Sequence, residues 1–598
     1  MTELTTQQRA FAGHEGDAFV RACPGGGKTR TIAARAQRIS PPLPPRQGIA
    51  ILSFTNSAID EFLAKCRTLG LDGVVRHPNF VGTFDAFLRQ SFIAPCGLNG
   101  VAVRPTVLDS WSTLSVDIRL RGQAAFAGPG VPLDRFDAST NTIDPSTIGH
   151  NGLRNHVQAH SAAYVQAARQ RRLGLRNRGY VSAADVRVEV VSRLQDPNWS
   201  TSLGRAIAAR FKELIVDEAQ DCNPLDLQLL GWLRDHGLAV TIVADLDQAI
   251  YGFRQGDPAA LGVFGQRYGA DRQLELSGNF RSSPAICGCS ATLRARAEPD
   301  ESLGENAAVT LPVYVLKYDG NTPPASIHIY FNNLAQQAGI PEAGRIVLAH
   351  ARSSARNACG LTADTEGGDS KVARIARAGG TFHAKGTSGR SREACVCAVE
   401  EIILDLMGKL EDQVNAARAA EQHGIDRRWL RRVAMQLITS LPATCENSDD
   451  RRAAWVGTLR EAVTALGLSY AQGLTVARYF RMPPSGDWSQ FLLPGVALAP
   501  TKWATIHEAK GSEHGAVCVV IPPDRGGTDF TEQLISAWES RSDSESKRVI
   551  YVGVTRAEKL LVIAVPAAFS DRVAAVLHAG EVSFELHDPS IAVAVGAA

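Results

Sequence analysis

Ala22-Cys23-Pro24-Gly25-Gly26-Gly27-Lys28-Thr29 sets three consecutive glycines directly before a Lys-Thr pair. A short apolar run (Ala18, Phe19, Val20) precedes the segment, and a helix-like stretch from Thr31 to Ile39 follows it. This is the strand, phosphate loop and helix order of a nucleoside-triphosphate site. Glycines let backbone N–H groups turn inward around phosphates. Lys28 can then reach the β and γ oxygens, and Thr29 can hold Mg²⁺. The consensus GxxxxGK(S/T) opens on glycine, and Ala22 stands at that position here.

Strand-like runs recur at GIAILSF (48–54), FKELIVDE (211–218), AVTIVAD (239–245), GRIVLAH (344–350), AVCVVIP (516–522) and KLLVIAV (559–565). Most are continuously apolar, as strands covered on both faces must be. Helix-like stretches such as Ser57 to Leu69 and Pro224 to Asp235 separate them, and that alternation predicts an α/β fold with parallel sheets. The runs fall into two sets, roughly 1–285 and 286–580. Two stretches break the pattern. Residues 101–189 carry Gly, Pro, Asp and Asn clusters and then an arginine-rich helical segment; residues 385–490 read as amphipathic helices. Both are expected to be insertions.

Composition excludes several classes. A hydrophobic fraction of 44% and a charged fraction of 21% are ordinary for a globular chain. The net charge of +2 gives no global argument for a polyanionic partner, so any such case rests on local patches. No apolar run approaches the roughly 18 residues of a membrane span, and the N-terminal residues lack a basic segment followed by an apolar one. A cytoplasmic protein with no membrane association is the expectation. Eleven cysteines in so long a chain do not suggest a disulfide scaffold. Cys287/Cys289 and Cys395/Cys397 have the spacing of either weak thiolate metal ligands or buried free cysteines, and the sequence leaves both open.

Leu214-Ile215-Val216-Asp217-Glu218-Ala219-Gln220-Asp221 puts acids at the carboxyl end of a buried strand, where ligands sit in open α/β sheets. Asp217 suits Mg²⁺, and Glu218 suits polarising a water for attack on the γ-phosphate. A solvated strand-to-helix turn would show the same residues. About 190 residues separate Lys28 from Asp217, more than one βαβ unit fills, which the first insertion explains. Hydrolysis also needs positive charge at the γ-phosphate. Arg281, in Gly278-Asn279-Phe280-Arg281-Ser282, and Arg556, in Tyr551-Val552-Gly553-Val554-Thr555-Arg556, are the candidates.

The ordered set of motifs resembles superfamily 1 DNA helicases of the UvrD/Rep/PcrA type, from Leu4 to Arg556. Leu4-Thr5-Thr6-Gln7-Gln8 is similar to the adenine-reading motif, with Gln8 as reader. ACPGGGKTR resembles the phosphate loop, with Arg30 near the base. Ser53-Phe54-Thr55-Asn56 and Gly82-Thr83-Phe84 resemble single-strand contacts, and DEAQD the metal and water motif. Asp245-Leu246-Asp247-Gln248-Ala249-Ile250-Tyr251-Gly252-Phe253-Arg254 is similar to D-x-x-Q-S-I-Y-x-(W/F)-R, and Asn279-Phe280-Arg281-Ser282 to NYRS. Thr505-Ile506-His507-Glu508-Ala509-Lys510-Gly511-Ser512-Glu513 is similar to T-x-H-x-x-K-G-L-E, and RVIYVGVTR to the last motif.

The resemblance implies two RecA-like P-loop motor domains with parallel sheets, each carrying a mostly helical insertion. The first motor would be 1–100 and 190–285, with an accessory insertion at 101–189. The second would be 286–384 and 491–598, with a reduced helical accessory domain at 385–490. ATP and Mg²⁺ would bind between the motors. Lys28, Glu218, Gln248, Arg281 and Arg556 would carry hydrolysis. Gln8, Ala22, Cys23, Pro24, Gly25, Gly26, Gly27, Thr29, Arg30, Phe280 (on adenine) and Glu513 (on ribose) would bind the nucleotide, with Thr29 and Asp217 on the metal. Phe54, Thr55, Asn56, Thr83, Tyr251, Phe253, Thr505 and His507 would touch DNA, whose bases stack on aromatic faces.

The implied activity is ATP-dependent 3′–5′ translocation on single-stranded DNA or at single/double-strand junctions, in repair, recombination or anti-phage defence. An alternative is a DNA-stimulated ATPase that regulates a partner nuclease, and base stacking alone leaves RNA open. Asp85 stands where relatives have histidine, Phe253 where tryptophan is commoner, and Ser512 where leucine precedes the glutamate. No acid-acid-lysine nuclease pattern follows Arg556. Two basic stretches, Arg169 to Arg178 and Arg427 to Arg432, are either phosphate contacts or solvated faces.

Overall fold

The computed structural model describes residues 4–588 apart from 41–42, 115, 121–124, 127–129, 149, 251–255, 296–297, 361–369, 384–388, 411–415, 417–418, 421–422, 444–447, 472, 483–500 and 525–528. The chain divides into two compact units. One comprises Met1–Pro105, Val186–Leu361 and Pro500–Ala598; the other comprises Thr106–Asp185 and Thr362–Ala499.

The first unit holds two six-stranded sheets in which every pairing is parallel. Strands β1 (Phe19–Ala22), β2 (Gly48–Ser53), β3 (Phe80–Thr83), β4 (Phe211–Val216), β5 (Ala239–Ala244) and β6 (Gln273–Leu276) form the first, in the order β6-β1-β5-β4-β2-β3. All six residues of β2 are buried, which accounts for the unbroken apolar run there. Phe11, Val20, Ile32, Ile51, Ile215 and Val243 pack one continuous core between this sheet and its helices.

Strands β7 (Val313–Tyr318), β8 (Arg345–Ala349), β9 (Lys502–Thr505), β10 (His514–Val520), β11 (Ala557–Pro566) and β12 (Phe584–His587) form the second sheet, ordered β9-β8-β10-β11-β7-β12. Alternate residues of these strands enter two separate cores, as the period of two demands. Val315, Leu348, Val517 and Ile563 point to one face, packing with Trp538 and Tyr551; Leu316, Val347, Cys518 and Val562 point to the other, packing with Phe331.

In the second unit, residues 106–185 pair Thr106–Leu108 with Tyr180–Ser182 in parallel and bury Trp111, Leu153, Val157 and Tyr164. Its other segment is a helical assembly. This segment runs Thr362–Ala499 and begins ahead of residue 385. The helix Lys371–His383 sets Val372, Ile375 and Ala376 into one core with Val399 of Gly389–Leu406, Leu437 of Arg427–Ser440 and Trp455 of Asp449–Ala465. The other segment of this unit, Thr106–Asp185, falls within the 101–189 expected for the first insertion.

Candidate nucleotide site

The glycine-rich segment Cys23–Gly27, read above as a phosphate loop, follows β1 directly. Cys23 N donates to Leu276 O at 2.9 Å and Gly26 N to Cys23 O at 3.1 Å. Gly25 and Gly27 have φ of +68° and +73°, the left-handed region that favours glycine. Gly27 caps the helix Lys28–Ile39, so the first-turn N–H groups of that helix face the loop. Ala22, Cys23 and Pro24 are buried; Lys28, Thr29 and Arg30 are half-buried.

Lys28 Nζ lies 2.9 Å from Glu218 Oε1. Burial works against the Lys28 charge, but Glu218, Asp217 and Asp245 outweigh it and raise the ammonium above its ordinary range. Burial likewise pushes the Glu218 carboxyl up, yet the Lys28 and Lys510 cations hold it down at about 2. Asp217 is pushed up to about 7, first by burial and then by the Glu218 charge. The two neighbouring carboxylates are thus driven apart in basicity by position alone. Glu218 adopts φ +55°, a left-handed conformation uncommon for a non-glycine residue, and Asp217 Oδ1 accepts from its N–H at 3.0 Å. Gln220 holds the other oxygen of Glu218 and accepts from Asp245 N at 3.2 Å.

The arginines come from the side of the second sheet. Phe280 N donates to Gly25 O at 2.9 Å, seating Asn279-Phe280-Arg281 on the phosphate loop. A Cβ at Gly25 would stand 2.5 Å from Asn279 Oδ1 and 2.7 Å from Arg281 Cβ. Arg281 donates to Thr555 O (2.9 Å) and through Nε to Glu513 Oε1 (2.8 Å). Glu513 is therefore engaged by Arg281, whose charge holds its carboxyl low against the opposing effect of burial. Arg556 is 2% exposed and donates to Val552 O (3.1 Å), Ser512 O (3.3 Å) and Gln248 Oε1 (3.4 Å). Burial and the Arg281 charge lower its guanidinium to about 10.

Gln8 is 2% exposed; Nε2 donates to Gly26 O at 3.1 Å and Oε1 accepts from Thr5 N at 3.1 Å. Its amide thus closes the capping box of Thr6–Gly13 and lies against the loop. Phe280 is half-buried.

Of the strand-contact candidates, Phe54 is half-buried and stacks on Phe84 at 5.4 Å and 12°; Thr55 and Thr83 cap helices through Ala58 N and Ala86 N, each at 3.2 Å; Asn56 is exposed. Thr505 accepts from Glu508 N at 3.2 Å, and His507 Nε2 lies 3.2 Å from Ile250 O. Tyr251 and Phe253 lie outside the described residues. Asp85 is paired with Arg187 at 2.5 Å, and Arg187 also donates to Asp226 at 2.7 Å.

Two further residues of the quoted motifs lie beside these groups, Lys510 through a partner distant in sequence and Asn279 through a local turn. Lys510 Nζ reaches both Asp221 oxygens at 2.8 Å and Gln248 O at 3.2 Å. Asn279 Oδ1 accepts from Arg281 N and Ser282 N at 2.8 and 2.9 Å. Among the basic stretches, Arg172 pairs with Asp185 and donates to Asn141 and Phe136 O, and Arg431 pairs with Glu393. Burial raises the thiols of Cys287, Cys289, Cys395 and Cys397. Among the described residues no group of three or more His, Cys, Asp or Glu is arranged to hold a metal ion, and no helix is long and apolar enough to cross a membrane.

A family model described as UvrD/REP helicase N-terminal domain matches residues 136–269. The ATP-dependent DNA helicase UvrD2 of Mycobacterium tuberculosis (strain H37Rv) is 25% identical over 605 residues, covering 93% of this chain and 77% of that protein. The protein of the same name from Mycobacterium bovis matches to the same extent. An ATP-dependent helicase/nuclease subunit of Exiguobacterium sibiricum is 31% identical over 147 residues, 23% of this chain and 12% of that protein. In its ordered motifs, its parallel sheets and these matches the chain is similar to UvrD-like helicases of superfamily 1.

Proposed function

We propose that the chain is a cytoplasmic ATP-driven translocase and helicase that moves 3′ to 5′ along single-stranded DNA, with the two sheets as RecA-like motors. The observation that carries this reading is one contact chain: Lys28 to Glu218, Glu218 through Gln220 to Asp245, Asp245 to Gln248 N, and Gln248 Oε1 to Arg556, which with Arg281 meets Thr555.

ATP would lie on the phosphate loop, with Lys28 on its β and γ oxygens and Phe280, Gln8, Arg30 and Glu513 at base and ribose. Thr29 and Asp217 offer the hard oxygen donors that Mg²⁺ prefers, and the ion would neutralise phosphate charge. Glu218, its basicity set by Lys28, orients the attacking water. Arg281 and Arg556 face the charge that develops on the leaving phosphate. Arg281 must exchange Glu513 for phosphate, and Lys28 must exchange Glu218, so nucleotide binding and closure are linked. Gln248 reports the γ-phosphate to the segments that carry Phe54, Thr55, Asn56, Thr83, Tyr251, Phe253, Thr505 and His507, which grip the strand.

ATPase activity stimulated by single-stranded DNA, and abolished in Lys28→Ala and Glu218→Gln, is the expected result. Hydrolysis indifferent to DNA and to both changes rejects the reading. The short stretch similar to a helicase/nuclease component favours a second reading, a DNA-stimulated ATPase that regulates a partner nuclease in repair, recombination or defence. Strand displacement by the purified chain argues for the first; hydrolysis without displacement argues for the second.

A further inference from the structure

Strands β8 and β9 run in parallel with Ala349 opposite Thr505. The chain therefore leaves both strands at one carboxyl edge, with His350 immediately after β8 and His507 two residues beyond β9. The His350 ring lies 4.9 Å from Phe530 and nearly parallel to it at 19°; the His507 ring stands edge-on at 5.6 Å and 60°. His350 is exposed, while Phe530 and His507 are half-buried. Among the described residues neither ring nitrogen of His350 has a hydrogen-bond or ion-pair partner. Two residues on, Arg352 pairs with Glu508 at 2.8 Å and lies over the Trp503 ring at 5.9 Å, which fixes the turn that carries His350 against β9.

An imidazole fixed by hydrogen bonds is held for its nitrogens. His350 is instead held by its face, against a phenyl ring, with the opposite side open. Partial burial and the nearby His507 lower its basicity, and Glu545 acts in the other direction. At neutral pH the ring is an uncharged flat surface rather than a cation for phosphate. Flat rings presented at a strand-binding edge accept bases of any sequence, since each base has a π-face.

We propose that His350, backed by Phe530, is a base-stacking platform for single-stranded nucleic acid on the second sheet. The proposal rests on the strand-tracking reading above and adds a contact beyond the residues assigned there.

The test uses the full chain and a fluorescein-labelled oligothymidylate, with binding read by anisotropy and folding by thermal melting. His350→Phe keeps the flat face and loses the nitrogens; His350→Gln keeps polar atoms and loses the ring. The expected result is affinity near wild type for the Phe variant and a loss of about tenfold for Gln and for His350→Ala. An oligonucleotide series with one abasic position should locate a base whose removal weakens the wild type but not the Ala variant. Retained binding by Gln with loss by Phe overturns the proposal in favour of a polar contact. If the wild type binds and hydrolyses ATP in response while all three variants match it, this inference alone falls. A wild type that neither binds the strand nor responds to it overturns the motor reading together with this one.

Discussion

Arg556 Nη2 donates to Gln248 Oε1 at 3.4 Å, joining the segment after β5 to the turn before β11. The bond is long; on the proposed function it would tighten when nucleotide binds. Because Gln248 meets a buried guanidinium instead of solvent, its amide transmits position as well as charge. Gln248→Ala is expected to lower ATP turnover by about 10- to 100-fold while nucleotide affinity stays within a few-fold. Steady-state hydrolysis and equilibrium binding of a fluorescent nucleotide check both halves; equal losses in the two would make Gln248 a binding residue instead.

The Lys510–Asp221 pair is nearly enclosed, with 8% and 2% of the two side chains exposed. Breaking a buried pair from one side strands the remaining charge at a cost of about 3–5 kcal/mol, whereas replacing both partners by apolar groups is far milder. Lys510→Met should therefore lower the melting temperature clearly, and adding Asp221→Leu should recover much of the loss. A double variant less stable than Lys510→Met would refute this.

Gly25 has two reasons to be glycine: a positive φ, and an approach to Asn279 and Arg281 that leaves no room for a methyl group. Gly25→Ala should push the Asn279-Phe280-Arg281 turn off the loop and cut ATP hydrolysis by about 100-fold or more, since on the proposed function the arginine then misses the γ-phosphate. Gly70, also at positive φ but with nothing within 4 Å of an added Cβ, serves as the control: Gly70→Ala should cost some stability and little turnover. Comparable kinetic losses at both positions would show that backbone strain, and not the approach, is what matters at Gly25.

The parts of this protein legible in its sequence are those whose signal is local. GIAILSF, AVTIVAD and AVCVVIP are mostly apolar runs because β2, β5 and β10 are covered on both sides. The edge strands β3, β6 and β12 leave no such signal, because their half-buried and exposed positions admit Gly, Gln, Glu and His, which erases the run. Strand β7 is internal, but Tyr314 and Lys317 on its half-buried positions interrupt the pattern. The helix Lys371–His383, with Gly379 and Gly380 in its last turns, carries weak helical propensity and is held by its apolar stripe. The site divides in the same way. The phosphate loop and the acids after β4 are contiguous motifs; Lys510 finds Asp221 across 289 residues, and no local spacing encodes such a meeting.

Asp245 carries the clearest dependence on pH. It is 5% exposed, and burial, reinforced by Asp247 and opposed by Lys28 and Arg294, pushes its carboxyl up to about 7. An unfolded aspartate ionises near pH 3.9. Between roughly pH 4 and 7 the folded state therefore binds more protons than the unfolded state, and stability falls as pH rises through that window. The contribution is complete below the unfolded value and lost once pH passes the folded one. Asp245→Asn mimics the protonated carboxyl at every pH. It should match wild type only below about pH 4 and melt at a higher temperature near pH 8, by an amount on the order of 4 kcal/mol. Asp217 shifts in the same direction, so a residual slope should persist in Asp245→Asn and flatten further in the double Asn variant. Melting curves across that range decide it; an advantage of the Asn variant that is independent of pH, or that grows toward acid, would contradict the sign argued here.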